Sequence, residues 1–285
     1  MANFQLDDNF TAAIKDLIQR EQDKKLKKQL HELHYANIAE IIEQLELEEA
    51  IYLIKLLDSE KTADALAEVD EDFREKILGK LSAKEIAEEL EELDTDDAAD
   101  IIAELPEDRQ EKVLAQIEDT EHFKDIRELL NYEEDTAGGL MAKELVKVHE
   151  DLSVLKCVNA MRKQAEEVTR VHSIYVVNAK NQLLGRLSLK DLLTANSKAI
   201  VKDIYIPKVD FVTVDQDVEE VTKIMSKYDL EAIPVVNDKK ELLGRITIDD
   251  IVDVIKEEAD KDYQLAAGIS NCFSSLLKAH FDDSE

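Results

Sequence analysis

The sequence predicts an α plus α/β protein, a superhelix of short α-helices followed by a duplicated βαββα unit and a closing helix. Three observations carry this reading. From about residue 10 to 131 apolar residues recur at intervals of three and four, the period of a helix with one buried stripe. A block inside that stretch returns 48 residues later, so the helices are repeats. Beyond it, a block containing short apolar runs of strand length returns 59 residues later.

The elements follow in chain order. Ile38-Ala39-Glu40 with Leu45, Ala50, Ile54 and Leu57 is echoed by Ile86-Ala87-Glu88 with Leu93, Ala98, Ile102 and Leu105. A second echo sets Glu71-Asp72 and Glu75-Lys76-Ile77-Leu78 against Glu107-Asp108 and Glu111-Lys112-Val113-Leu114. Helices this short cannot bury their stripes alone and must stack. Three prolines and six glycines in 285 residues leave few interruptions of regular structure. The turn-rich Tyr132-Glu133-Glu134-Asp135-Thr136-Ala137-Gly138-Gly139 marks the domain boundary, with the helical domain at 1–131 and a joint at 132–142.

After the joint, Ile174, Val176-Val177-Asn178, Leu183-Leu184-Gly185-Arg186 and Asp191 recur as Ile233, Val235-Val236-Asn237, Leu242-Leu243-Gly244-Arg245 and Asp250. Each copy reads as helix, apolar strand, polar turn, apolar strand ending in Gly-Arg, and a helix with Ser188 or Thr247 as candidate N-cap. The copies occupy 143–203 and 204–258, and 259–285 holds the start of a further helix and a polar tail.

Charge narrows the function. Sixty-six acidic against 36 basic residues give a net charge of −30, which repels phosphate backbones and invites cations or basic proteins, so no nucleic-acid partner is expected. Cys157 and Cys272 are far apart with no CxxC, arguing against disulfides or thiolate zinc and for a reducing compartment. No run approaches 18 apolar residues and no signal segment opens the chain, so the segment is expected to be soluble. GxSxG, HExxH and any paired nucleophile and base are absent, so an enzyme is not expected.

Gly185-Arg186-Leu187-Ser188-Leu189-Lys190-Asp191 and Gly244-Arg245-Ile246-Thr247-Ile248-Asp249-Asp250 resemble the motifs of a tandem CBS-domain pair. Their setting adds an acidic helical repeat before them, the joint from Tyr132 to Met141, and the acidic run from Asp249 to Asp262. Together, over about residues 35 to 268, the chain resembles the cytosolic half of an MgtE-type magnesium transporter. The resemblance implies a right-handed helical superhelix, a CBS pair and a connecting helix leading into a transmembrane pore domain. That helix is expected to begin near Asp262, yet Phe273 to Glu285 is polar and contains no span, so this stretch alone cannot conduct ions.

From Glu88 to Asp108 there are 11 acidic residues and no basic one, with Asp97 and Asp100 on one helical face. Asp250, Asp253 and Glu257 form a second acidic face. Hydrated Mg2+ takes one or two carboxylates and keeps its remaining waters, so opposed acidic faces suit it without a cage. The resemblance implies metal roles for Asp97 and Asp100, for a carbonyl near Gly139 with Asp250, for Asp229 with Asp253, and for Asp217, Glu219, Glu258 and Asp262. Lys261 stands where the family has another acid, and Asp217 with Glu220 also has capping-box spacing. The resemblance further implies that ATP or another adenine nucleotide could meet Lys190, Asp191 and the backbone of Ile233 and Pro234, and Asp250 could hold a ribose. No glycine-rich phosphate loop accompanies them. His31 with His34, and Lys24-Lys25 with Lys27-Lys28, read as surface decoration.

The expected function is magnesium sensing at the cytoplasmic face of the cell membrane. Carboxylates on the two domains repel at low Mg2+, and filling the gap closes a homodimer formed through the CBS domains and shuts the pore. The alternative is a free-standing CBS sensor of adenine nucleotides.

Overall fold

The structure, a computed structural model, describes residues 7–165, 168 and 170–266, except the side chains of Asp8 and of 257–266 other than Ala259 and Tyr263. It divides into two compact units, Met1–Asn131 and Tyr132–Glu285.

The first unit is helical throughout its described residues: α1 (Asp8–Gln19), α2 (Asp23–Leu30), α3 (Tyr35–Glu43), α4 (Leu47–Leu56), α5 (Ser59–Ala67), α6 (Glu71–Leu78), α7 (Ala83–Leu90), α8 (Thr95–Ala103), α9 (Glu107–Leu114) and α10 (Thr120–Leu129). Alternate helices stack: α3 on α5, α5 on α7 and α7 on α9 along one layer, with α4 on α6 and α8 on α10 along the other. The repeat explains the stacking, because Ile38 and Ile86, Ala50 and Ala98, and Ile54 and Ile102 are all buried at equivalent places. The periodic polar residues are structural too. Arg74 donates to the carbonyls of Ala67 and Val69 at 2.5 and 3.0 Å, closing the C-terminus of α5. Gln110, 36 residues on, donates to the Leu105 carbonyl at 2.8 Å beyond α8. Orphan carbonyls at helix ends thus find side-chain donors, which lets such short helices end inside a packed array.

The second unit holds the two copies. The first comprises β1 (Val146–His149), α11 (Val154–Gln164), β2 (Ile174–Val177), β3 (Leu183–Leu187) and α12 (Leu189–Thr194). The second comprises β4 (Val212–Thr213), α13 (Val218–Tyr228), β5 (Ala232–Val236), β6 (Leu242–Thr247) and α14 (Ile248–Ala266). Each sheet has three strands, the first pair parallel and the second antiparallel, with matching irregularities at Val176/Val177 and Val235/Val236.

The copies meet turn to turn with internal two-fold logic. Leu183 N donates to Lys240 O at 2.8 Å and Leu242 N to Asn181 O at 2.9 Å, pairs related by the 59-residue repeat. Asn181 and Lys240 both take the left-handed conformation, with φ 59° and 61°. The repeated Asn178 and Asn237 each turn Oδ1 onto two backbone amides of their turn, at 2.9 to 3.0 Å. Ser188 caps α12, accepting from Asp191 N at 3.0 Å. At the equivalent place the Asp250 carboxylate is the acceptor: Thr247 N donates to Asp250 Oδ2 at 2.7 Å and its hydroxyl to the same oxygen at 3.0 Å.

The joint is not a free linker. Ala137 N and Gly138 N donate to Gln216 O and Val214 O at 2.7 and 2.9 Å, and Val218 N donates to Asp135 O at 3.0 Å. Ala142 exchanges both backbone bonds with Arg245 at 2.9 Å. Residues 135–142 are therefore fastened to the second copy. The tail from Ala267 to Glu285, where a polar end was expected, lies outside the described residues.

Candidate metal and nucleotide sites

Helix α8 begins after Asp94 and places Ala98, Ala99, Ile101 and Ile102 inward, which forces Asp97 and Asp100 outward onto one exposed face. The acidic stretch around them is partly neutralised from elsewhere in its unit, where isolation was expected. Glu104 is gripped by Arg74, whose Nε lies 3.0 Å from Oε2, and Glu88 pairs with Lys84 at 3.2 Å. Glu91 accepts from Asp119 N at 3.0 Å and from Glu118 N, as Glu43 does from Asp70 N one repeat earlier. Asp97 and Asp100 are the exposed acids of the face.

On the second unit, Asp250 is half-buried at the start of α14. Burial, followed by the nearby Asp249, pushes its carboxyl up to about 6 against the opposing bonds from Thr247. Asp253, one turn on, is exposed and holds Lys256 at 2.5 Å. Asp229 ends α13 in the left-handed conformation, φ 51°, a place where Asp is better tolerated than most residues. Helices α13 and α14 pack together, so Asp229 and Asp253 lie on neighbouring elements. Asp217 caps α13 by accepting from Glu219 N at 2.8 Å, and the Glu219 carboxylate holds Lys223 at 2.9 Å. Both candidates therefore already have local work. Gly139 donates its N–H to Thr136 Oγ1 at 3.3 Å, and a Cβ there would lie 2.5 Å from Glu133 O. Glu258 and Asp262 fall on α14, and their side chains, like that of Glu257, lie outside the described residues.

Lys190 is exposed at the start of α12, and Asp191 accepts from the Ser188 hydroxyl at 2.5 Å. Ile233 and Pro234 are buried in β5. A polar centre that the sequence reading missed lies where Arg170, His172, Ser173 and Tyr175 of the first copy meet Arg245 of the second around a cavity of about 10 Å3. Among the described residues the buried His172 Nδ1 and Tyr175 hydroxyl have no hydrogen-bond partner, although the Glu231 carboxylate lies 3.9 Å from His172 Nδ1. Burial, and then Arg245, lowers the His172 pKa and favours the neutral ring, while burial drives the Tyr175 hydroxyl far upward. The available signal was an asymmetry of the repeat: Tyr175 stands where the second copy has Pro234. His34 Nδ1 accepts from Ala36 N at 3.3 Å and His31 meets Glu32, so that pair decorates helix ends. Lys24, Lys25, Lys27 and Lys28 are all exposed on α2.

The described residues form a stacked helical array followed by a duplicated βαββα module of the CBS-pair class, and no helix among them is long and apolar enough to cross a membrane. The family model for the MgtE intracellular N domain matches residues 33–135, and that for the CBS domain matches 137–198 and 201–257. The chain is 32% identical to the crystal structure of the cytosolic domain of the Mg2+ channel MgtE in complex with ATP, covering 86% of this chain and 99% of that one at a TM-score of 0.80. It is 29% identical to the soluble part of a magnesium transporter, covering 87% and 98% at a TM-score of 0.78. The chain belongs to the MgtE family. Magnesium transporter MgtE of Thermus thermophilus is 41% identical over 138 residues, 48% of this chain and 31% of that protein. The Enterococcus faecalis transporter is 37% identical over 145 residues, 51% and 32%. The matched region thus spans about a third of the curated relatives' length.

Proposed function

We propose that this chain is the magnesium-sensing regulatory region of a magnesium transporter, acting at the cytoplasmic face of the membrane on a pore domain of the same full-length protein. The observation that carries the reading is the exposed Asp97 and Asp100 pair on α8, in a chain that matches an MgtE cytosolic domain along almost its whole length. The donor set fits the ion: hard carboxylate oxygens suit Mg2+, and neither thiol nor imidazole competes on that face.

In this reading Asp97 and Asp100 on the helical unit, with Asp250 and a carbonyl near Gly139 on the CBS unit, hold Mg2+; Asp229 with Asp253 supply a second place, and Asp217, Glu219, Glu258 and Asp262 peripheral ones. Bound Mg2+ supplies positive charge. Two like unit charges about 4 Å apart at an effective dielectric near 20 repel by roughly 4 kcal/mol, so several such pairs exceed the few kcal/mol that shift a two-state equilibrium. With those charges balanced the units close, the dimer tightens and the pore shuts. Exposed Leu189 and Leu193 on α12, and Ile248, Val252 and Ile255 along one face of α14, support a homodimer through the CBS pair. Small-angle scattering during a Mg2+ titration tests the reading. Compaction at millimolar Mg2+, lost on joint Asp97→Asn, Asp100→Asn and Asp250→Asn exchange, supports it, and unchanged dimensions refute it.

A second reading, adenine-nucleotide regulation, rests on the buried Tyr175 hydroxyl, which has no hydrogen-bond partner among the described residues, on the neighbouring His172, and on the relative whose cytosolic domain is in complex with ATP. Lys190, Asp191 and the backbone near Ile233 and Pro234 remain the proposed further contacts. The present cavity has room for about one water, so binding requires it to open. Calorimetric titration with ATP, compared between the native chain and Tyr175→Phe, tests this reading; absent heat in both sinks it. A response to ATP without any to Mg2+ favours the free-standing nucleotide sensor.

A further inference from the structure

The helical unit contains a buried carboxyl that the metal reading does not use. Glu89 on α7 is 7% exposed, and its hydrogen-bond partner is Thr62 Oγ1 on α5 at 2.6 Å. Thr62 is itself fully buried, and its hydroxyl also lies 3.5 Å from the Asp58 carbonyl. Beside Glu89 opens a cavity of about 240 Å3, walled by Ile54, Lys55, Ser59, Leu81, Glu85 and Glu88. A cavity of that size beside a nearly sealed carboxyl has room for several waters.

The charged groups around it do not neutralise it. Lys55 on α4 is taken by Glu85 at 2.6 Å, and Lys84 by Glu88 at 3.2 Å. On its own helix Glu88 and Glu92 add negative charge. Just before α5, Asp58 pairs with Lys27 at 3.6 Å; on α5, Lys61 donates to the His31 carbonyl, and Asp64 is influenced by Asp94, His34 and Glu60. On α9, Arg109 spans the carbonyls of Leu78 and Leu81 at 2.9 and 2.8 Å, and Lys112 pairs with Asp108 at 2.9 Å. On α10, His122 Nε2 lies 3.0 Å from the Leu90 carbonyl. Burial first, then Glu88 and Glu92, push the Glu89 carboxyl up to about 7, against the opposing bond from Thr62.

We propose that Glu89 is a proton-operated latch between α5 and α7. Protonated, its O–H donates to Thr62 Oγ1, whose own hydrogen turns to the Asp58 carbonyl, so one chain of donors ties the two helices. Deprotonated, Glu89 only accepts, the Thr62 hydrogen turns back to it, and an unpaired charge beside the cavity draws water between the helices. The latch sits on the helix that leads into α8, which bears Asp97 and Asp100. Only that last link, to sensing, rests on the magnesium reading.

The sign follows from linkage. A carboxyl raised from 4.5 to about 7 in the folded state contributes stability that is complete below about 4.5 and lost as pH rises through about 7. The test is a Mg2+-free titration of the 285-residue chain, following glutamate side-chain carbon resonances, with the Glu89 signal identified by its loss in Glu89→Gln. A midpoint near 7 is expected; a midpoint near the ordinary 4.5 overturns the proposal. In parallel, the unfolding constant of the native chain relative to Glu89→Gln should rise about tenfold per pH unit between about 5 and 7, then level. A ratio independent of pH overturns it. Both measurements stand if Mg2+ causes no compaction, so the two readings fail separately.

Discussion

Arg74 on α6 and Glu104 just past α8 are locked together, with Arg74 Nε 3.0 Å from Glu104 Oε2 and Nη2 on the other carboxylate oxygen. The side chains are only 13% and 16% exposed, and the same guanidinium closes the end of α5 through the Ala67 and Val69 carbonyls. One side chain therefore joins the ends of α5 and α8, because a planar fork of donors can serve a carboxylate and carbonyls at once.

Replacing Arg74 with Ala should destabilise the chain by about 3 kcal/mol, since it strands a part-buried carboxylate as well as helix-end carbonyls. Glu104→Gln should cost clearly less, because the carbonyl contacts survive. Urea denaturation of both variants measures this, and equal losses would show that the carbonyl grip contributes nothing.

Gly244 explains the repeated Gly-Arg. A Cβ there would lie 2.6 Å from Ala142 O, where the joint crosses β6, and one at Gly185 would meet the Ile206 carbonyl, where the linker between copies crosses β3. Gly244→Ala should lower stability by about 1–3 kcal/mol and raise hydrogen exchange at Ala142 and Arg245. Unaltered exchange there would contradict this account of the glycine.

Asp217 has two candidate roles that stability can separate. As the cap of α13, its replacement by Ala should cost about 1 kcal/mol whether or not Mg2+ is present. A metal ligand would instead show its loss as a smaller rise of the melting temperature on adding Mg2+. Calorimetry with and without the ion reads both; an unchanged melting temperature in Mg2+-free buffer would remove the capping role.

Leu193 is 81% exposed on α12 and Val252 is 43% exposed on α14. If these faces meet a second copy, Leu193→Glu with Val252→Glu should shift the chain from dimer to monomer with little change in folding, because both positions are already wet in the isolated chain. Light scattering after size-exclusion chromatography decides it, and a dimer of undiminished strength would place the interface elsewhere.

Some of the chemistry was legible along the chain because it is local. Ser188 caps α12 from its position before an apolar run, and Asn178 and Asn237 hold equivalent turns because the same residue precedes the same polar loop. Thr247 was misread as its twin: there the Asp250 carboxylate, not the hydroxyl, is the acceptor at the helix start.

The sequence by itself determined the succession of helices and strands, because hydrophobic period is a property of near neighbours, and the duplications, because they show as self-similarity at a fixed offset. It also marked Asp97 and Asp100 as sharing a helix face, since three residues is nearly one turn. Only the tertiary structure decided that Arg74 takes Glu104, that Asp135 to Ala142 is fastened to the second copy, and that Glu89 is sealed against Thr62 while Asp97 stays in water. The reason is physical: an acid's charge and reach depend on what packs around it, and that packing pairs particular residues roughly 30 to 100 positions apart, which hydrophobic period and repeat spacing do not specify.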